Sequence, residues 1–160
     1  MRFIDDQIPR AGSRFTLTWR ALPTLSVGVE YNPRADKTSP LANWLAMEET
    51  AKRPALIVGT SSDRIGTPEG QSFYATFSKN LKRETHLPIA PYAGVAFGTY
   101  EDEWRFIGGM AIGFTEATNL LFVHDGVNPH LLLNGSWKRH TVSLLWVDFE
   151  DVGVSYSVVF

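Results

Sequence analysis

Along most of this chain, large apolar residues alternate one by one with small or polar ones, the period of a β-strand with two different faces. Residues 13–20 set Phe15, Leu17 and Trp19 against Arg14, Thr16, Thr18 and Arg20. Residues 24–32 set Leu25, Val27, Val29 and Tyr31 against Ser26, Gly28, Glu30 and Asn32. Residues 72–79 repeat the pattern with Phe73, Ala75 and Phe77 opposite Tyr74, Thr76 and Ser78. In 88–100, Ile89, Ala93, Val95 and Phe97 oppose Ala90, Gly94, Ala96 and Gly98. In 103–115, Trp104, Phe106, Met110, Ile112 and Phe114 oppose Arg105, Ile107, Gly109, Ala111 and Gly113. Residues 53–61, 117–124, 130–139, 140–149 and 152–160 complete ten predicted strands of about eight to twelve residues. Links such as "EDE", "TEA" and "KRH" are too short for anything but antiparallel neighbours. A meander of that length has two edges to hide, and closure removes both, so the expected fold is an all-β, antiparallel up-and-down barrel forming one domain over 1–160.

Two stretches break the alternation. In "SPLANWLAMEETAK" (39–52), Ser39 has the character of an N-cap and Pro40 of a first helical residue. Leu41, Trp44, Leu45 and Glu48 follow at helical spacing, so one short amphipathic helix is expected there. "TSSDRIGTPEGQ" (60–71) reads as a flexible loop, and it lacks the Gly-Lys-Ser/Thr ending of a phosphate-binding loop.

The non-apolar face decides what surrounds the barrel. A water-facing side would be rich in Lys and Glu; the interior of a narrow barrel inverted for lipid would be rich in Gly, Ala, Ser and Thr. The second description fits 88–100, 103–115 and 152–160, while charges gather at strand ends, as in "YEDEW", "SWKRH" and "DFED". Trp19, Tyr31, Trp104, Trp137, Trp146 and Tyr156 would supply aromatic girdles at the two interfaces. The expected barrel is therefore transmembrane. Composition agrees: of 160 residues, 44% are hydrophobic and 20% charged, which argues against disorder. A net charge of −2 gives no case for nucleic-acid binding, and the absence of Cys removes disulfides and thiolate metal sites. No run reaches the length of a membrane helix, and "MRFIDDQIPR" has charges where a signal peptide would have its apolar core.

The terminal stretch "VGVSYSVVF" places Val154, Tyr156, Val158 and Phe160 at alternate positions. This resembles the C-terminal signature of Gram-negative outer-membrane β-barrels, a final Phe preceded by alternating apolar or aromatic residues. The resemblance implies residence in the bacterial outer membrane, contact with its lipid, and reading of these four residues by the barrel-assembly machinery. "LSVGVEYNP" and "RPALIVGTSSDRIGTPEGQSFYAT" are similar to the YjbH-like, exopolysaccharide-associated barrels, which implies an envelope or exopolysaccharide role. Within such a barrel the long 33–52 connection would lie on the periplasmic side, where turns are normally short. Either 39–52 folds as a plug or periplasmic helix, or the first strand is misassigned.

No catalytic, metal or cofactor site is expected. His124, Asp125 and His130 flank one turn, but no nucleophile stands at a recognisable spacing from them. The inward candidates are Arg14, Arg20, Glu30, Arg105 and Lys138, a mildly basic lumen suited to small anionic solutes or acidic sugars. The leading expectation is a non-enzymatic, porin-like barrel with a narrow or occluded lumen and a structural, transport or envelope role. Two alternatives stay open: a soluble barrel enclosing a small apolar ligand, which would need no detergent, and an outer-membrane hydrolase, which would lose activity in His124→Ala and His130→Ala.

Overall fold

In the computed structural model, which describes residues 1–4 and 12–159, the alternating segments close into one antiparallel barrel of twelve strands. In chain order these are β1 (Arg2–Ile4), β2 (Ser13–Leu22), β3 (Leu25–Asn32), β4 (Lys37–Met47), β5 (Ala55–Ser62) and β6 (Gln71–Ser78). β7 (Ile89–Gly98), β8 (Glu103–Gly113), β9 (Thr118–His124), β10 (Pro129–Trp137), β11 (His140–Val147) and β12 (Asp151–Val158) complete the wall. Each strand pairs with its neighbours in sequence, and β1 closes the ring on β12. One four-residue helix, α1 (Lys82–Thr85), sits between β6 and β7.

The count of twelve corrects the ten expected, and the two added strands are informative. β1 has three residues, too few for alternation to register. β4 replaces the helix expected at 39–52. Its backbone pairs from Leu25↔Trp44 to Asn32↔Lys37 with β3 and from Ala42↔Thr60 to Met47↔Leu56 with β5. Pro40 is tolerated because the β5 ladder begins only at Ala42, so position 40 behaves as an edge. The Gln71 side-chain amide donates to the Pro40 carbonyl there (3.0 Å). With β4 in place the 33–52 connection becomes an ordinary hairpin, and the conflict over a long connection disappears.

Burial is inverted relative to a water-soluble barrel. The phase carrying Phe15, Leu17, Trp19, Trp44, Phe73, Phe77, Trp104, Phe106, Leu133 and Val154 is exposed, with Phe106 83% and Trp104 70% accessible. The other phase is inward and holds the buried polar residues Glu30, Asn32, His130 and Ser143. Among the described residues no helix is long and apolar enough to cross a membrane, which says nothing about strands.

Small residues inside are a steric requirement. A Cβ on Gly94 would run into the Ala75 carbonyl oxygen of β6, and one on Gly109 into the Phe122 carbonyl of β9. Gly59 and Gly109 also lie directly under the rings of Tyr74 and Tyr92, their register partners on the adjacent strands. The Tyr rings thus lie along the wall over glycines and fill part of the lumen. Gly94→Ala should accordingly lower stability by about 1–3 kcal/mol through overpacking, read as a drop in the urea or thermal midpoint. The same change at Gly135, which has open space around it, should cost no more than a few tenths of a kcal/mol.

Candidate functional site

The meander sorts every connection to one of two ends. The terminal end carries the start of β1, the end of β12, and the links 23–24, 48–54, 79–88, 114–117 and 138–139. The far end carries 33–36, 63–70, 99–102, 125–128 and 148–150. Charge is distributed unevenly between them. The terminal end holds Arg20, Lys52, Arg53, Lys79, Lys82, Arg83, Lys138 and Arg139 against Glu48, Glu49, Glu84 and Glu116, net +4. At the far end Arg34, Lys37, Arg64 and Arg105 face Asp36, Asp63, Glu69, Glu101, Asp102, Glu103, Asp125, Asp148, Glu150 and Asp151, net −6 among the described residues.

The far mouth is stoppered by the 63–70 loop. Its lone aliphatic side chain, Ile65, packs against the buried cluster of Ile4 of β1 with Leu145 and Val147 of β11, against which Leu132 of β10 also packs. β5 and β11 lie on opposite sides of the twelve-strand ring, so the loop crosses the lumen to make that contact. Asp63 N–H donates to the Gly70 carbonyl (3.1 Å), pinching the loop at its base, and Gly66 and Gly70 take the positive φ that the two bends require (99° and 107°). Thr67, buried, donates its hydroxyl to the Arg64 carbonyl (3.0 Å). The sequence reading expects a flexible loop over 60–71 and leaves 39–52 open as a plug or periplasmic helix; in the structure 39–52 contains a wall strand and 63–70 enters the lumen.

Arg64 locks the stopper to the β7–β8 turn. Its guanidinium grips Glu101 with two bonds, Nη2 to Oε1 (2.7 Å) and Nε to Oε2 (3.3 Å). Arg105 then donates to Glu101 (2.8 Å) and Glu103 (2.6 Å). The Arg64 hydrogen bond, more than any other contact, holds the Glu101 carboxyl below its usual range, and the same bond keeps Arg64 more firmly protonated. Beneath this lid lies a chamber of about 180 Å³ bordered by Ser61, Ser72, Tyr74, Tyr92 and the Arg64–Glu101–Arg105 cluster. A wider vestibule of about 650 Å³, bordered by Asn80, Pro88, Ala111 and Asn119, opens at the terminal end.

Of the inward candidates, Arg14 and Glu30 are brought together. Arg14 Nε lies 3.1 Å from Glu30 Oε2, while Ser62 and Asn32 donate to Oε1 (2.6 and 2.9 Å). Arg20 lies on the lumen-facing phase near the terminal end, opposite Ser26, and is exposed. Arg105 stands at the far mouth, tied to two carboxylates. Lys138 lies in the β10–β11 turn, its ammonium over the outward Trp137 ring at 4.8 Å. Val154, Tyr156 and Val158 share the outward phase of β12; Phe160 lies outside the described residues.

His130 is fully occupied. Its Nδ1 accepts from the Asp148 N–H (3.3 Å), which leaves the proton on Nε2 to be donated to Asp125 Oδ2 (3.0 Å). The ring is therefore a clip between the β9–β10 and β11–β12 turns, with the Asp148 N–H shared between Nδ1 and the Pro129 carbonyl (2.9 Å). His124 falls on the outward phase beside Pro129 and Gly108. No group of metal ligands occurs among the described residues. Burial alone would raise the Asp125 carboxyl, but the hydrogen bonds from His130 and from the backbone N–H groups of Asn128 and Val127 outweigh it and hold the group below its ordinary value. Because the folded value is depressed, this contribution to stability is present above the ordinary aspartate range and lost as pH falls through the lower folded value. Acidification through that window should release the 125–128 turn, seen as faster exchange of the Val127 and Asn128 amides. Asp125→Asn should flatten that acid dependence.

No protein-family model matches the chain, and no curated protein or solved structure matches it either.

Proposed function

We propose that the chain is a non-enzymatic outer-membrane β-barrel with an occluded lumen and a structural, transport or envelope role. One observation carries the reading: large apolar and aromatic side chains cover the outside while Glu30, Asn32, His130 and Ser143 are buried within. In water such a surface would be an aggregation hazard, since exposed apolar patches on soluble monomers rarely exceed a few hundred Å². In a bilayer the same surface is the solvent-matched one, and closure leaves few backbone groups unpaired. Trp19 and Trp137 at the terminal end and Trp104 at the far end are placed where interfacial girdles belong. The solute class that suits the chamber is a small neutral polyol or sugar unit, because its carboxylates outnumber its two guanidiniums and its remaining lining is hydroxyl-rich.

The test is partition. The purified chain should need detergent, co-float with lipid vesicles, and run at different gel mobilities before and after boiling. Spin labels at Leu144 and Ser143 should be quenched by a lipid-soluble agent at the first position only. A monodisperse protein in detergent-free buffer would sink the proposal. Assembly through the terminal signature of Val154, Tyr156, Val158 and Phe160 makes a separate expectation. Phe160→Ala forfeits at most about 1.5–3 kcal/mol of burial, yet it should reduce folded protein in the membrane severely while leaving synthesis unchanged. Membrane yields near wild type would show that the barrel-assembly machinery does not depend on this residue.

A further inference from the structure

Three rings stand in a row on the outside of the terminal rim. The two-residue turn of Lys138 and Arg139 sets Trp137 opposite His140, and Tyr156 lies diagonally across the β11–β12 ladder from His140. The rings are close to parallel: Trp137 and His140 at 6.2 Å between centroids and 26°, His140 and Tyr156 at 5.9 Å and 21°. A 2.7 Å hydrogen bond between His140 Nδ1 and the Tyr156 hydroxyl pins the row. Lys138 is held against it, its ammonium 4.8 Å from the Trp137 ring centroid and its backbone at a positive φ (54°) that is uncommon outside Gly and Asn. Arg139 beside it is exposed. No acidic residue occurs between Asp125 and Asp148, and Glu116 in the neighbouring 114–117 link pairs with neither cation among the described residues. Beneath the turn the outer surface is notched. Gly135 is the outward residue of β10 between Leu133 and Trp137, and a Cβ there would meet nothing within 4 Å. Its register partners Thr118 on β9 and Val142 on β11 form the sides of the notch, and Leu133 and Val142 carry the apolar wall onward.

We propose that the β10–β11 hairpin is a binding site for one anionic phospholipid, its phosphate on Lys138 and Arg139 and one acyl chain laid into the notch at Gly135. Charge complementarity selects the headgroup. Two cations with no carboxylate partner attract a phosphodiester of net negative charge, whereas a zwitterionic headgroup brings its own ammonium against them. The wall below selects a lipid over free phosphate, because an apolar track starts directly under the charged turn and runs toward the middle of the belt. Each part is fixed before the lipid arrives: the ring row carries Lys138 at the rim, and the missing side chain at Gly135 leaves the seat open. The inference rests on the membrane reading, since the notch seats an acyl chain only where the outer wall meets lipid.

Two-dimensional NMR of the full chain in dodecylmaltoside micelles tests it, with dioleoylphosphatidylglycerol as the probe. The amides of 135–142 and the Trp137 indole N–H should shift to saturation at one lipid per barrel, while β4 and β5 on the opposite wall stay still. Dioleoylphosphatidylcholine has the same chains and should bind about tenfold more weakly. Each basic residue near anionic lipid is worth about a factor of five, so Lys138→Ala with Arg139→Ala should weaken phosphatidylglycerol binding about twentyfold. Gly135→Leu fills the notch without touching a charge and should weaken it about fivefold. Equal affinity for the two lipids, the same saturating shifts with inorganic phosphate alone, or wild-type binding by either variant overturns the proposal. A lipid-soluble nitroxide in the same micelles separates this outcome from the membrane reading. If it broadens the Val142 and Phe106 amides, the outer wall meets the apolar phase, and a lack of lipid selectivity then sinks the site alone. If those amides stay sharp, the reading and the site fall together.

Discussion

Replacing residues 64–69 with two glycines should convert an electrically silent barrel into a steadily conducting one. The base of the loop is already closed by the Asp63–Gly70 hydrogen bond (3.1 Å), so a two-residue link fits between β5 and β6 without disturbing their pairing. What the change removes is the chain that crosses the lumen: Ile65 with its seat on Leu145 and Val147, and Arg64 with its grip on Glu101. Eight strands enclose a space that side chains fill, and sixteen or so enclose an open channel. Twelve lie between, and here the terminal half is already a vestibule of about 650 Å³. In planar bilayers the wild type should show almost no steady current and the loop replacement a reproducible stepwise one. A silent variant with wild-type heat-dependent gel mobility would mean that Tyr74 and Tyr92, over their glycines, are a sufficient seal. Removing 39–52 asks a different question, because it takes out a wall strand.

Arg14→Ala should be among the most destabilising single substitutions in the protein, at about 3 kcal/mol. Glu30 has no exposed side-chain surface, and Arg14 is the cation beside it. Deleting one member of a buried pair typically costs about 3–5 kcal/mol, because the other charge is stranded; the 30% exposure of Arg14 admits some water and favours the lower figure. Ser62 and Asn32 would still donate to Oε1, but Oε2 would be left without Arg14. Glu30→Gln in the Arg14→Ala background should recover most of the loss, since the stranded charge is then gone, and a double-mutant cycle by urea unfolding would report the coupling. A loss within about 0.5 kcal/mol for Arg14→Ala would show that water reaches Glu30 freely.

Why some of this was legible in the sequence and some not follows from what each feature depends on. Residues 103–115 were legible because the outward positions other than Gly108 are large and apolar and the inward run Gly109, Ala111 and Gly113 is small, so phase survives in one dimension; the observed register, Ile89↔Ile112 to Gly98↔Glu103, keeps that division. β4 was not, because Ser39-Pro40 imitates a helix start and Leu41, Trp44 and Leu45 fall at helical spacing, whereas in the strand Leu41 is buried and Trp44 exposed on opposite faces. Only the neighbouring ladders decide between helix and strand, and the bulge between Leu45 and Met47 further blurs the alternation. The stopper was illegible for a different reason. Ile65 is one apolar residue among Ser, Asp, Arg, Gly and Thr, and its partners stand across the ring, 80 to 82 positions later or at residue 4. The lumen charges show the intermediate case. Their phase was readable, and Arg14 and Glu30 do meet, but of the two carboxylates that occupy Arg105, Glu101 comes from a turn whose fold no periodicity encodes and Glu103 from the first position of β8.

The uneven rims give the molecule an electrical direction. With net +4 at one mouth and −6 at the other among described residues, the axis of the barrel is a permanent dipole, and an unstoppered lumen would lie along it. Cations would be concentrated at the far mouth and repelled at the terminal one, within a Debye length of about 8–10 Å at ordinary salt. Current through the opened barrel should therefore depend on the sign of the voltage, a rectifier rather than a symmetric resistor, and molar salt should abolish the asymmetry.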